Sequence, residues 1–332
     1  MSPPPDYLHG AVKRRESAQY INTTMTTPAP SPLPAGTLLE GYRIDRQISC
    51  GGFSIVYLAH AADGLPVAIK EYLPQTLARR AADGLRVEAI ETGAAEFSRG
   101  LACFFEEARA LSLLHHPHVV HVLNFFRAND TAYMVMELER GRTLREHVRL
   151  HRGRIAEPTF RTLYDALLDG LEAVHQHGLL HLDIKPANIW LRCDLAPVLL
   201  DFGAARFAVD LGPPAPRAMY TPGYAAPEQY HGQYTLGPWS DIYAIGACMY
   251  ATLTKRAPQD AEARLTDDQL IPARQRFADR YSPRLLVVID ECLRLDPKRR
   301  PPGALALKEM LAHATSGGWP GWLRGLRNRL QP

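Results

Sequence analysis

Two short segments, His181-Leu182-Asp183-Ile184-Lys185-Pro186-Ala187-Asn188 and Asp201-Phe202-Gly203, constrain this chain more than anything else in it. Asp183 offers a carboxylate that can take a proton from a hydroxyl. Asn188 and Asp201 offer hard oxygen atoms of the kind that magnesium on a nucleotide phosphate prefers. These groups act together only if the chain doubles back between them. The apolar run Val198-Leu199-Leu200, directly before Asp201, reads as part of a short hairpin that folds the second aspartate back beside the first.

The 332 residues suffice for two lobes with their own cores. A formal net charge of +3 implies no wholesale attraction to nucleic acid or to membranes. Cys50, Cys103, Cys193, Cys248 and Cys292 are odd in number, scattered and never in a C-x-x-C pair. That pattern argues against a disulfide framework or a zinc site and for a reducing compartment. No signal peptide is visible, and the longest apolar stretch, Ile242 to Leu253, is well short of the ~20 residues a membrane span needs. The expectation is a soluble cytoplasmic protein.

Residues 1–37 are rich in Pro, Ser and Thr, as in Thr27-Pro28-Ala29-Pro30-Ser31-Pro32-Leu33-Pro34. Alternate prolines remove backbone donors and favour extended, solvated chain, so this tail is expected to be disordered, with Met25 a second candidate for the first residue. Tyr42-Arg43-Ile44, Ile55-Val56-Tyr57-Leu58 and Val67-Ala68-Ile69-Lys70 read as three strands, the last two separated by a turn at Ala62-Asp63-Gly64. Phe104, Ala108, Leu111 and Leu114 recur at helical spacing within 97–114, and strands follow at 119–126 and 132–137. After Gly141 helices dominate. Residues 160–175 carry Leu163, Leu167, Leu168, Leu171 and Val174 on one face, 241–253 is apolar on every side, and 284–295 and 305–311 are further helices. Strands followed by helices make an α+β arrangement, with a small lobe at 38–137 and a large lobe at 138–314.

The turn between the first two strands, Ser49-Cys50-Gly51-Gly52-Phe53-Ser54-Ile55-Val56, adds a phosphate-handling pattern, because glycine lets a backbone approach phosphate oxygens and take φ > 0. Val67-Ala68-Ile69-Lys70 arrives on the next strand. Taken in order with H-x-D-x-x-x-x-N and D-F-G, these segments resemble the protein kinase superfamily. Lys70-Glu71-Tyr72-Leu73-Pro74 and Thr221-Pro222-Gly223-Tyr224-Ala225-Ala226-Pro227-Glu228-Gln229-Tyr230 resemble, more narrowly, bacterial kinases of the eukaryotic-like serine/threonine branch. The resemblance spans about residues 38–314. It implies a two-lobed fold, with a five-stranded antiparallel sheet plus one helix in the small lobe and a mainly helical large lobe.

It also implies an activity: transfer of the γ-phosphate of ATP, with Mg2+ or Mn2+, to Ser/Thr hydroxyls of protein substrates, with no nucleic acid involved. On that reading Ser49, Cys50, Gly51, Gly52, Phe53 and Ser54 cover the phosphates. Lys70 reaches the α- and β-phosphates, steadied by Glu107 on the following helix; Glu106 is the competitor, about 100° around the helix. Val56 and Ala68 cover adenine from above, Trp190 falls near its floor, and the backbone of Glu137, Leu138 and Glu139 bonds its edge beside the gatekeeper Met136. Asp183 is the base, Lys185 neutralises the moving phosphate, Thr221 bridges these two, and Asn188 and Asp201 are metal ligands. Glu228 is expected to pair with Arg300, and Asp241 to cap the backbone of the catalytic loop.

The chain departs from the pattern in two places. Ser49 and Ser54 stand in the first and third glycine places, and Leu182 stands where the family has the Arg that contacts a phosphorylated activation-loop residue. Between Ala204 and Ala225 the only hydroxyls are Tyr220, Thr221 and Tyr224, so control by phosphorylation of that loop is not expected. The two serines and Leu182 favour an alternative, a pseudokinase acting as a nucleotide- or partner-binding module. A small-molecule kinase of the aminoglycoside or choline type is opposed by Ala226-Pro227-Glu228, Arg300 and Thr221, which build a platform for a polypeptide. The uncharged surroundings of Cys50 do not favour a reactive thiolate. In 315–332, Trp322, Leu323, Leu326 and Leu330 share one helical face, expected to pack on the chain's own domain in preference to a membrane surface. Ser17, Thr23, Thr24, Thr26, Thr27 and Ser31 are candidate sites of self-modification, and the oligomeric state is left open.

Overall fold

The computed structural model describes residues 31–202, 206–207, 220–230 and 235–313. Period-two burial builds the small lobe: along Ser54–His60, Ile55, Tyr57 and Ala59 point into the core while their neighbours stay half-exposed. In chain order the small lobe contains β1 (Leu38–Leu39), β2 (Tyr42–Cys50), β3 (Ser54–His60), β4 (Pro66–Tyr72), the hairpin β5 (Ala78–Arg80) and β6 (Val87–Ala89), helix α1 (Ala94–Ser112), β7 (Val122–Ala128) and β8 (Thr131–Glu137). The main sheet is antiparallel, in the order β1-β2-β3-β4-β8-β7. Its five long strands are the expected ones, and the two-residue β1 adds a sixth at the edge. Helix α1 buries Phe97, Phe104, Glu107, Ala108 and Leu111, the stripe that faces the sheet.

Two boundaries differ from the sequence reading. β7 begins at Val122, because the preceding residues join the lobes: Val119 forms a parallel bridge with Leu199, and the Val120 N–H donates to the Leu199 carbonyl at 3.0 Å. Residues 31–37, assigned to the tail by composition, belong to the small lobe. Leu33 is buried and its N–H donates to the Tyr57 hydroxyl at 3.1 Å, while the Gly36 N–H reaches the Ile44 carbonyl at 2.8 Å. Residues 1–30, with Ser17, Thr23, Thr24, Thr26 and Thr27, and residues 314–332, with the apolar face of Trp322 to Leu330, lie outside the described residues.

The large lobe continues through β9 (Gly141–Thr143), α2 (Leu144–Leu150), α3 (Glu157–Gln176), β10 (Leu179–Leu180), β11 (Ile189–Arg192), β12 (Pro197–Leu199) and β13 (Arg206–Phe207). Then come α4 (Pro227–Tyr230), α5 (Pro238–Thr254), α6 (Ala261–Thr266), α7 (Ala273–Arg276), α8 (Pro283–Cys292) and α9 (Ala304–His313). Thr143 and Glu146 form a capping box that starts α2. Helix α5 is buried on every side from Ser240 to Leu253, and Gly246 lets α8 approach closely, since a Cβ there would stand 2.4 Å from the Cβ of Cys292. β11 and β12 form the antiparallel hairpin that returns the chain toward Asp201. No helix among the described residues is long and apolar enough to cross a membrane.

Candidate active site

β4 runs through the middle of the sheet and sets Lys70 opposite Val56 on one side and Met134 on the other. The Lys70 side chain is buried, with its ammonium 5.5 Å from the centre of the Phe104 ring. From there Nζ crosses to the large lobe and donates to Asp201 Oδ1 at 2.7 Å, while Glu107 Oε1 lies 3.8 Å away. Glu106 points outward and pairs with Arg109 at 2.8 Å on the surface of α1. Burial alone would lower the pKa of Lys70, but Asp201 and Glu107 outweigh it and hold it up at about 12. The Lys70 charge holds the Asp201 carboxyl down at about 2. Burial pushes Glu107 the other way, up to about 7, against the pull of Lys70.

Several hydrogen bonds of the catalytic loop converge on Asp183. Its Oδ2 accepts from Lys185 Nζ at 2.6 Å and Asn188 Nδ2 at 3.0 Å, and its Oδ1 accepts from Thr221 Oγ1 at 2.7 Å. Lys185 Nζ also reaches Thr221 Oγ1 at 2.9 Å, so Thr221 touches both residues. Asn188 Nδ2 donates again to the Asp183 carbonyl at 3.0 Å. With its amide nitrogen spent on Asp183, Asn188 keeps Oδ1 as the atom it can offer elsewhere. The Asp201 side chain is 48% exposed, so its carboxylate remains open to a ligand despite the Lys70 contact. An ionised carboxylate and an amide oxygen fit magnesium, which takes a few protein oxygens and completes its shell from phosphate and water.

The backbone under these residues is held from both sides. Leu182 is buried with φ 61°, a left-handed conformation that costs a bulky residue about 1–2 kcal/mol. Asp241, fully buried near the start of α5, accepts the N–H of His181 at 2.9 Å and of Leu182 at 2.8 Å. Burial would raise the Asp241 pKa, but the 2.9 Å bond from His175 Nε2 and these N–H groups bring it below the ordinary value. On the other side of the same residue, Gln229 Nε2 donates to the Leu182 carbonyl at 2.9 Å, while its Oε1 accepts the Ala226 N–H at 2.9 Å. His181 joins the two acidic segments. Burial keeps its ring neutral, Nδ1 accepts the Asp183 N–H at 3.3 Å, and Nε2 donates to the Leu200 carbonyl at 3.1 Å, with Phe202 packed 4.3 Å from the ring.

Glu228 and Arg300 form a buried two-pronged pair at 2.6 and 3.0 Å. Gly223 takes φ 84° where a Cβ would stand 2.7 Å from the Pro258 carbonyl, so the Thr221-Pro222-Gly223-Tyr224 turn needs glycine.

Around the remaining cleft one expectation needs correction. Neither Gly51 nor Gly52 has positive φ, and a Cβ at Gly52 would meet nothing within 4 Å, so backbone freedom is not what these glycines supply here. The turn is a tight continuation of β2 and β3, in which Ser49 pairs with Val56, Cys50 with Ile55, and the Gly51 N–H donates to Ser54 O at 2.9 Å. At the hinge the Glu137 N–H donates to the His121 carbonyl at 3.0 Å. The Glu139 carboxylate is occupied by Arg192 at 2.5 and 2.8 Å. Ala68 stands opposite half-buried Met136, and Trp190 sits in β11 between Thr143 and Val198. Gly203 and residues 208–219 of the activation loop lie outside the described residues.

Motif reading did not assign Gln229, or the buried network around Glu71, the residue after Lys70 whose side chain takes the opposite face of β4. There Glu71 takes both prongs of Arg80, at 2.5 and 2.7 Å, and the hydroxyls of Tyr57 and Tyr133 at 2.7 and 2.8 Å. The only sequence signal for it was the charged Glu71 next to Lys70 in an otherwise apolar strand.

Comparison with known proteins agrees with this geometry. The protein kinase domain family matches residues 42–314. The serine/threonine-protein kinase pkn3 of Myxococcus xanthus is similar at 30% identity over 309 residues, covering 86% of this chain and 52% of that protein. The carbon catabolite-derepressing protein kinase of Saccharomyces cerevisiae is similar at 29% identity over 243 residues, 73% of this chain and 35% of that protein. Among solved structures, PpkA-294 in its apo form has a TM-score of 0.75 and 35% identity, and the match covers 85% of this chain and 99% of that one. The chain spans about a third to a half of the length of these curated relatives.

Proposed function

The chain belongs to the protein kinase domain family, and from that premise we propose that it is a serine/threonine protein kinase acting on Ser/Thr hydroxyls of protein substrates with ATP and magnesium. One observation carries the reading: Lys185, Asn188 and Thr221 converge on Asp183 while Lys70 reaches Asp201 across the cleft. Asp183 receives the proton of the attacking hydroxyl, and its three hydrogen bonds fix which oxygen faces the substrate. Lys185 lies beside it, where charge builds on the transferring group. Lys70, steadied by Glu107, holds the α- and β-phosphates, and the turn at 49–54 covers them. Asn188 and Asp201 would hold magnesium, which when bound would neutralise phosphate charge. Positioning and electrostatics of this kind supply most of the rate in phosphoryl transfer. Val56, Ala68, Met136 and Trp190 enclose the base, and the backbone of 137–139 bonds its edge.

The finer reading concerns control. Leu182 is apolar, buried and held by Asp241 and Gln229, so no cation stands there to read a phosphate on the activation loop. We assign activity that does not depend on that modification; phosphopeptide mapping that found an activating phosphate on Tyr220 or Thr221 would sink it. The unpaired cysteines, two of them buried, support a reducing, cytoplasmic setting. The main reading is tested by transfer of labelled phosphate from ATP to the chain itself and to a generic basic protein. Transfer that disappears in Asp183→Asn is the expected result. Intact nucleotide binding without transfer by the unaltered chain would favour a binding module instead.

A further inference from the structure

Lys70 is followed by a segment that does more than connect β4 to the next hairpin. The Leu73 N–H donates to the Phe53 carbonyl at 3.0 Å, and the Gln75 N–H to the Gly52 carbonyl at 3.0 Å. Gln75 Nε2 donates to the Gly51 carbonyl at 2.8 Å and lies 3.6 Å from Cys50 Sγ. Three consecutive carbonyls of the turn between β2 and β3 are therefore tied to residues 73–75.

No peptide bond among the described residues is cis. In a trans peptide the N–H points opposite to the carbonyl that shares its plane. The N–H groups of Gly52, Phe53 and Ser54 therefore each point away from the group that holds the carbonyl of the same peptide. Successive N–H groups on one side make an anion-binding concavity. Glycine freedom does not set this arrangement, since Gly51 and Gly52 have ordinary φ.

The anchor for the tie is rigid. Leu73 is fully buried, the N–H groups of Leu77 and Ala78 close on the Pro74 carbonyl at 3.0 and 2.8 Å, and Glu71 grips Arg80 at the far end of the segment. Two of the three ties are backbone bonds; only the Gln75 side chain can be removed by substitution.

We infer that Gln75 is a positioning residue for the phosphate-binding turn, orienting the Gly51–Gly52 peptide so that its N–H serves the triphosphate. The inference rests on the nucleotide-binding reading above for its ligand, but not for the tie itself. Gln75→Met keeps the volume and loses the donor; Gln75→Asn keeps the amide and loses the reach. Both variants and the unaltered chain would be titrated by calorimetry with ATP and with adenosine, which has no phosphates. Hydrogen exchange of residues 50–55 would be followed without nucleotide.

Both variants are expected to weaken ATP binding about three- to tenfold, the worth of one hydrogen bond, with adenosine changed less than about twofold. Exchange at 50–55 is expected to speed up with the melting temperature unchanged. Equal losses for ATP and adenosine, or unchanged ATP affinity, would overturn the ligand half of the inference. Unchanged exchange at 50–55 would overturn the tie. An unaltered chain that binds neither ligand would remove the nucleotide reading and the ligand half with it, while the exchange result would still decide the tie.

Discussion

Two clusters of charge taken out of water lie in the large lobe and in the cleft, and they are completed differently. Arg300 uses every arm: Nη1 and Nη2 meet both oxygens of Glu228, and the remaining bonds go to the carbonyls of Arg294, Leu295 and Trp239 at 2.6, 2.9 and 3.1 Å. Glu228 takes one more bond from Ser240 at 2.8 Å, and the Tyr243 ring lies 5.0 Å beneath the guanidinium. Lys70 has one short contact, to a half-exposed Asp201, and a long one of 3.8 Å to a Glu107 oxygen that has no hydrogen-bond partner. A cluster whose capacity is used up internally holds the fold. One with capacity left over is arranged for something that arrives from solution.

The strongest way to break this contrast is at Asp183. Asp183→Asn should reduce phosphate transfer by ~10²–10⁴-fold while leaving the thermal midpoint close to that of the unaltered chain. A large fall in midpoint would put Asp183 among the structural charges. Next comes Arg300→Met, which strands Glu228 in the core and should cost ~3–5 kcal/mol in urea unfolding. Lys70→Met should cost clearly less by the same measurement, while abolishing ATP binding in calorimetry. Equal losses for the two would erase the distinction.

Gln229→Leu sharpens it further. It removes a side-chain bond to the strained Leu182 peptide carbonyl and should cost about 1–3 kcal/mol, with kcat falling more than KM rises. The smallest effect is a slope with pH. Burial lifts the Glu107 carboxyl from its ordinary 4.5 to about 7, so between these values the folded chain holds a proton that the unfolded chain has released. The Glu107 contribution to ligand-free stability should therefore fall as pH rises from about 4.5 to about 7, and the difference in stability between the unaltered chain and Glu107→Gln should change with that slope across a series of urea titrations.

Much of this was legible in the residues because it depends on spacing. The run Ile55-Val56-Tyr57-Leu58 gave a strand, the stripe Phe104, Ala108, Leu111 gave α1, and the apolar run before Asp201 gave the returning hairpin. The family came from the resemblance of Val67-Ala68-Ile69-Lys70, His181 to Asn188 and Asp201-Phe202-Gly203, in that order, to protein kinases, and the two-lobed fold is what that resemblance implied. Other features leave no periodic trace. β1 is two residues long, too short to alternate. Gln229 and Gln75 act through whichever carbonyl the fold brings to them, and an amide in a sequence does not announce its acceptor. Composition misled at residues 31–37, where the prolines read as solvated tail although a single apolar side chain, Leu33, is seated in the core. It misled again at Gly51-Gly52, where the glycines suggested left-handed backbone and the structure has none.

That seat for Leu33 reaches further than its place near the front of the chain implies. Its amide occupies the Tyr57 hydroxyl, whose proton goes to Glu71, the immediate neighbour of Lys70 on the same strand. Trimming the chain back beyond residue 33 would thus remove the outermost link of a network that ends at Glu71, on the face of the sheet turned away from Lys70 and the cleft, so the loss would register in the stability of the small lobe.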